Sequence, residues 1–166
     1  MRFHLVDRIL ELEPGKKIRM VKNLTLAEEY LADHFPGFPV MPGVLMLQTL
    51  VESAAWLLRV TEDYRYSVIA LREVKNVKYG NFMEPGKSLI TTVELEQSPG
   101  EGAEATLKGK GEMDGQSTVS AKFMVTRYNL RDRNPALAAI DTRIVERLRQ
   151  HYLILSGEMD KVGRVS

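Results

Sequence analysis

The chain has 166 residues, of which 44% are apolar and 27% charged, and its formal net charge is +1. That balance suits one globular domain and excludes a nucleic-acid binder driven by bulk positive charge. There is no cysteine, which excludes disulfides, thiolate catalysis and cysteine-ligated metal centres.

Charges are spread through MRFHLVDRILELEPGKK, so the segment has neither the apolar stretch of a signal peptide nor the bias of a transit peptide. A cytoplasmic protein is expected. Residues 5–12 and 18–22 flank Glu13-Pro14-Gly15-Lys16, where Pro-Gly suits a type II turn, and together they read as a hairpin. Residues 26–31 suit a short helix or turn.

Next comes HFPGFPVMPGVLMLQTLVESAAW, from His34 to Trp56. Pro36, Gly37, Pro39, Pro42 and Gly43 leave its first half few backbone choices. Pro42-Gly43 then opens a long helix. The apolar run over residues 44–60 lies at the lower limit for crossing a bilayer, but Gln48, Glu52 and Ser53 interrupt it. A carboxylate in hydrocarbon is costly, so the helix is expected inside the protein and no membrane span is expected.

From residue 67 the period shifts to that of strands. Residues 67–79, 88–96, 103–113 and 117–128 are separated by Glu84-Pro85-Gly86-Lys87, Ser98-Pro99-Gly100-Glu101 and Asp114-Gly115. In the last run Val119, Ala121, Phe123 and Val125 form one apolar face. An α+β layout follows, an antiparallel sheet of five or six strands curved round a buried helix. After Arg131-Asp132-Arg133-Asn134-Pro135, residues 136–152 regain helical spacing, with Ile140, Ile144, Leu148 and Tyr152 on one face. The chain is expected to divide into a domain over residues 1–130 and a helical extension over 131–166, packed on the domain or on a partner.

LVDRILELEPGKKI, HFPGFPVMPGVL, the helix after it and the later EPGK before an alternating strand resemble the β-hydroxyacyl-acyl-carrier-protein dehydratases, hot-dog-fold enzymes of fatty-acid elongation. The resemblance runs from about Leu5 to Tyr128. It implies that His34 is the catalytic base and that substrate lies against Phe35, Gly37, Phe38, Met41, Gly43 and Val44. It also implies an acyl thioester on acyl carrier protein or coenzyme A, and a homodimer or trimer of dimers. The family's second catalytic group is a helix carboxylate five residues after the glycine of MPG, supplied by the other subunit. Here that position is Gln48. Four residues on, where the family commonly has glutamine, stands Glu52.

Dehydration removes a weakly acidic proton beside the carbonyl and protonates the departing hydroxyl. Neutral imidazole suits the first task, and a group protonated at the right moment suits the second. Backbone N–H groups at the start of the Gly43 helix suit the thioester oxygen as charge builds on it. No metal or organic cofactor is required. Since glutamine gives up no proton, three arrangements stay open: Glu52 as the acid, His34 performing both transfers with Gln48 only orienting, or a chain that binds acyl thioesters or pairs with a homologue that supplies the carboxylate. A hot-dog thioesterase with Glu52 as base is a further alternative.

Plainer roles stand beside these. Gln48 suits a hydrogen-bonding core position, and Glu52 suits an ion pair with Arg59 or a tie to a neighbouring strand. His4 and His151 lie in no motif and are expected at the surface. Tyr79 is a further candidate for the acyl tunnel. Lys75/Lys78 and Arg127/Arg131/Arg133 are basic clusters that suit an acidic carrier protein.

Overall fold

In the computed structural model, which describes residues 4–97 and 104–158, the Pro-Gly and Asp-Gly pairs sit where strands reverse. Gly15 and Gly86 take φ of +77° and +88°. Each closes a turn in which Lys16 N–H or Lys87 N–H donates to the carbonyl of Glu13 or Glu84, at 3.0 and 3.2 Å, the type II arrangement. Asp114 and Gly115 both have positive φ, 51° and 77°, as a type I′ hairpin requires. The expected turn at Ser98-Pro99-Gly100-Glu101, with Ala103, lies outside the described residues.

The elements are β1 (Arg8–Glu13), β2 (Lys17–Asn23), a 3-10 turn (Glu29–Ala32), α1 (Gly43–Thr61), β3 (Val68–Tyr79), β4 (Ser88–Gln97), β5 (Glu104–Met113), β6 (Gln116–Tyr128), two 3-10 turns (Leu130–Asp132, Pro135–Leu137) and α2 (Ala138–Ser156). The six strands form one sheet in the order β1-β2-β4-β5-β6-β3, every neighbouring pair antiparallel. The jump of β3 to the far edge follows from α1, which crosses the sheet's inner face against β2, β4, β5, β6 and β3. This is the hot-dog architecture.

The inner face of β6 is Val119, Ala121, Phe123 and Val125, all buried as the alternation implied. On β5 the matching face runs Ala105, Leu107, Gly109, Gly111. A Cβ on Gly109 would stand 3.2 Å from Leu50 and Phe123, and one on Gly111 2.7 Å from Val119. Glycine at 109 lets the helix approach the strand closely, and glycine at 111 leaves room for Val119 and Leu89.

Helix α1 is long and apolar enough to cross a membrane by length and composition, but 56% of its apolar window is buried inside this fold. Met46, Leu50, Val51, Ala54, Trp56, Leu57 and Leu58 all join the core, and each large side chain contributes about 1.5–3 kcal/mol by burial. Two hydroxyls tie the helix to the sheet. Ser53 Oγ lies 2.7 Å from the Thr49 carbonyl and 2.8 Å from Thr91 Oγ1, and Thr91 Oγ1 lies 3.3 Å from the Met20 carbonyl.

The inward stripe of α2 differs from the expected one. Asp141, Val145, Leu148, Tyr152 and Leu155 face the domain, whereas Ile140 is 43% exposed. The cause is polar: Asp141 is drawn inward, where its carboxylate accepts from the Ser67 hydroxyl and from the N–H groups of Leu130 and Arg131 at 2.9 and 3.0 Å. Apolar spacing alone does not register such a cap. The expected basic cluster is also reduced, because Arg127 is 1% exposed, pairs with Glu62 just beyond α1 and lies over the Tyr66 ring. It is not available to a carrier.

Burial pushes the Asp141 carboxyl up, but the Ser67 hydroxyl and the N–H groups of Arg131 and Leu130 outweigh it and hold the group below its ordinary 3.8. With the folded value below the unfolded one, this stabilisation is complete above about pH 4 and is lost as pH falls through the folded value. Asp141→Asn is therefore expected to melt below wild type at neutral pH, the gap closing on acidification. A gap in Tm that stays constant with pH, read by circular dichroism, would contradict this.

Candidate active site

The loop carrying His34 is stapled at its base. Val40 N–H donates to the His34 carbonyl at 3.0 Å, Phe35 and Phe38 exchange backbone bonds of 3.2 and 3.0 Å, and Met41 N–H donates to the Met83 carbonyl at 2.9 Å. Gly37 at the tip has φ +87°, and the His34–Phe35 peptide is cis. The half-buried His34 ring stacks on Phe35 at 4.2 Å. Its Nδ1 lies 2.8 Å from the Val40 carbonyl. Phe35 and Phe38 are about half exposed, Phe38 meets Phe82 edge-on, and Met41 is buried in the core. Phe35 and Gly37 line an open groove of about 470 Å³ with Leu26 and Pro39.

Helix α1 begins directly after this loop. Pro42 is its N-cap and offers no side-chain acceptor, so the Gly43 and Val44 N–H groups keep the partial positive charge of a helix start. A Cβ on Gly43 would sit 3.0 Å from the Tyr79 ring; glycine lets that ring lie against the helix start. Val44 is 67% exposed.

Gln48 and Glu52, one turn apart, line one cavity of about 210 Å³ with His4, Trp56, Arg59 and Leu148. His34 is not among its lining residues. Glu52 Oε2 accepts from Leu5 N–H at 2.9 Å, and Oε1 lies 3.5 Å from His4 Nδ1. Burial lowers the Arg59 guanidinium to about 10, against the opposing pull of the Glu52 charge. The plainer role foreseen for Glu52 is thus partly filled, by the backbone just before β1 and by proximity to Arg59.

The expectation that His4 and His151 are surface residues holds for His4, whose side chain is 41% exposed, but not for His151. Their rings stack at 4.3 Å, and His151 is half-buried with its centroid 5.6 Å from that of Trp56. The reason is that α2 folds back over the outer face of α1. The stripe Gln48, Glu52, Trp56, Arg59 follows helical spacing and was readable; what covers it was not.

A model of the FabA-like domain family matches residues 1–122. The chain belongs to the FabA-like dehydratase family. Its relatives include the 3-hydroxyacyl-[acyl-carrier-protein] dehydratase FabZ of Janthinobacterium, 37% identical over 80% of this chain and 85% of that protein. FabZ of Ruminiclostridium cellulolyticum is 35% identical over 75% and 88%. The match to FabZ of Wolbachia pipientis is 38% identical and spans 57% of this chain and 66% of that protein. Solved structures share the fold at low identity. The dehydratase heterocomplex ApeI:P from Xenorhabdus doucetiae superposes with a TM-score of 0.55 at 18% identity, over 72% of this chain and 96% of that one. The smu.793 protein of Streptococcus mutans, solved with acetyl CoA, gives 0.56 at 12%, over 76% and 92%.

Within this FabA-like chain the matched region holds the whole His34 loop, both helix positions and β1 to β5, and it stops before the end of β6. Helix α2 and its contacts with Glu52's surroundings lie beyond it.

Proposed function

We propose that this chain is a hydro-lyase that dehydrates β-hydroxyacyl thioesters of fatty-acid biosynthesis, with His34 as base and Glu52 as the source of the second proton. The observation that carries the reading is the 2.8 Å contact between His34 Nδ1 and the Val40 carbonyl. A carbonyl only accepts, so Nδ1 holds the hydrogen. Nε2 is then left with its lone pair, the form that removes a proton.

The α-carbon proton passes to His34 Nε2 while the thioester oxygen gathers charge near the Gly43 and Val44 N–H groups, whose dipoles are already oriented. The β carbon–oxygen bond then breaks, and the leaving oxygen takes a proton that originates at Glu52 of the other subunit of the dimer and is delivered by a water held at Gln48. The other subunit supplies it because His34 does not line the cavity that holds Glu52 in its own chain. Such general-acid help is worth about 10²–10⁴ in rate, or ~3–5 kcal/mol. Gln48 thereby keeps a place in the site without donating. We read residues 1–130 as the catalytic domain and 131–166 as an extension, in a cytoplasmic homodimer or trimer of dimers. Its substrate rides on acyl carrier protein or coenzyme A, with Phe35, Phe38 and Tyr79 against the acyl chain.

The test is hydration of a short trans-2-enoyl thioester by the purified chain, followed by loss of enoyl absorbance and by incorporation of solvent deuterium at the α carbon. Turnover with α-deuteration is expected. Binding without either result would defeat the reading.

A second reading is favoured by Gln48 and by the hold of Leu5 N–H on Glu52: an acyl-thioester-binding subunit that needs a homologue to supply the carboxylate. In that case activity would appear only on mixing with such a chain. Native mass spectrometry of the active species separates the two.

A further inference from the structure

His4, outside the motifs that carry the resemblance, lines the cavity beside Gln48 and Glu52. We propose that His4 supplies Glu52 with its proton, making this N-terminal residue part of the dehydration site. The inference rests on the reading of the chain as a dehydratase with Glu52 as its acid.

The geometry points to a one-way feed. The His4 side chain is 41% exposed and that of Glu52 only 12%, so His4 exchanges protons with bulk water more readily than Glu52 does. Oε2 of Glu52 is occupied by Leu5 N–H at 2.9 Å, which leaves Oε1 to carry a proton. That oxygen lies 3.5 Å from His4 Nδ1, a gap closed by a small ring rotation. The same backbone bond that aims the carboxylate also places the preceding residue beside it.

His4 is held in position from its other side. His151 of α2 stacks on it at 4.3 Å with 22° between the planes. The charged and titratable groups around it are Glu52 and Arg59 from α1 and His151 from α2, while Ile69 of β3 and Leu148 are apolar. Arg59 rests over the Trp56 ring at 5.1 Å.

The step balances without any further reagent. As the carbon–oxygen bond breaks, its electron pair stays on oxygen, which takes a proton from the water at Gln48. That water takes the Oε1 proton of Glu52, Glu52 takes the proton of the His4 imidazolium, and neutral His4 regains one from solvent. His34 meanwhile releases the α proton. His4 acts through Glu52 and does not meet the substrate; it is a positioning and proton-supplying residue.

The experiment compares kcat against pH for wild type, His4→Gln, His4→Ala and His34→Ala on one enoyl thioester. His4→Gln is expected to lose roughly tenfold or more in kcat, the low end of proton-transfer contributions being larger still. Its pH–rate profile should lose the limb that depends on a protonated imidazole at position 4. Added imidazole should restore His4→Ala several-fold and leave His34→Ala inactive. If wild type turns over, His34→Ala does not, and His4→Gln keeps the wild-type kcat and pH profile, the relay is overturned while the dehydratase reading stands. If wild type has no turnover, or His34→Ala retains it, the dehydratase reading falls and the relay with it.

Discussion

Replacing His34 with alanine is expected to lower kcat/KM by about 10³-fold or more, the upper range for losing a positioned general base. The staple between the His34 and Val40 backbones fixes where that ring sits. A modest stability cost should accompany the loss. The Val40 carbonyl forfeits its donor, and an unsatisfied group of this kind costs about 1–3 kcal/mol. His34→Gln, which keeps a side-chain N–H donor, should recover part of the Tm and none of the rate. A His34→Ala enzyme within threefold of wild type on a short enoyl thioester would remove His34 from the chemistry.

Glu52→Gln is expected to lower kcat by about 10²–10³-fold with little change in KM, since a proton donor acts in the transition state rather than in binding. The substitution is nearly isosteric. A glutamine oxygen can still accept from Leu5 N–H, so the N-terminal segment should keep its place. What changes besides the proton is the environment of Arg59, whose charge is opposed by burial and supported by Glu52; a few degrees of Tm is the expected cost. Single-turnover kinetics and melting together check this. A variant with kcat within twofold of wild type would return the acid role to His34 or to another chain.

Much of this fold was legible in the sequence, for physical reasons that differ by element. Pro14-Gly15, Pro85-Gly86 and Asp114-Gly115 mark their turns because each demands a backbone geometry that few residues adopt. β6 announces itself by alternation because one face is buried and the other is not. The outward Ile140 was not legible, since Asp141 wins its inward place through three hydrogen bonds from Ser67, Leu130 and Arg131 that lie far away in sequence or beyond a turn. Arg127 reads as a surface cation until its pairing with Glu62 is seen. At the site, the motif marked the His34 loop, and helical spacing placed Gln48 and Glu52 one turn apart. His151 was misplaced because nothing local says that it will stack on a residue at the opposite end of the chain.

Helix α1 is greasy on most sides, and oil has no sense of direction. Apolar contact would hold it in the sheet at many angles about its own axis, each step of one residue turning it by about 100°. The contact of Ser53 with Thr91 works like a key in a slotted shaft: it admits one angular setting. Gln48, one turn before Ser53's neighbour Glu52, points where it does because of that key. Two small hydroxyls in the core thus set the aim of the site's outer face, and a Ser53→Ala chain would keep its fold while losing its bearing.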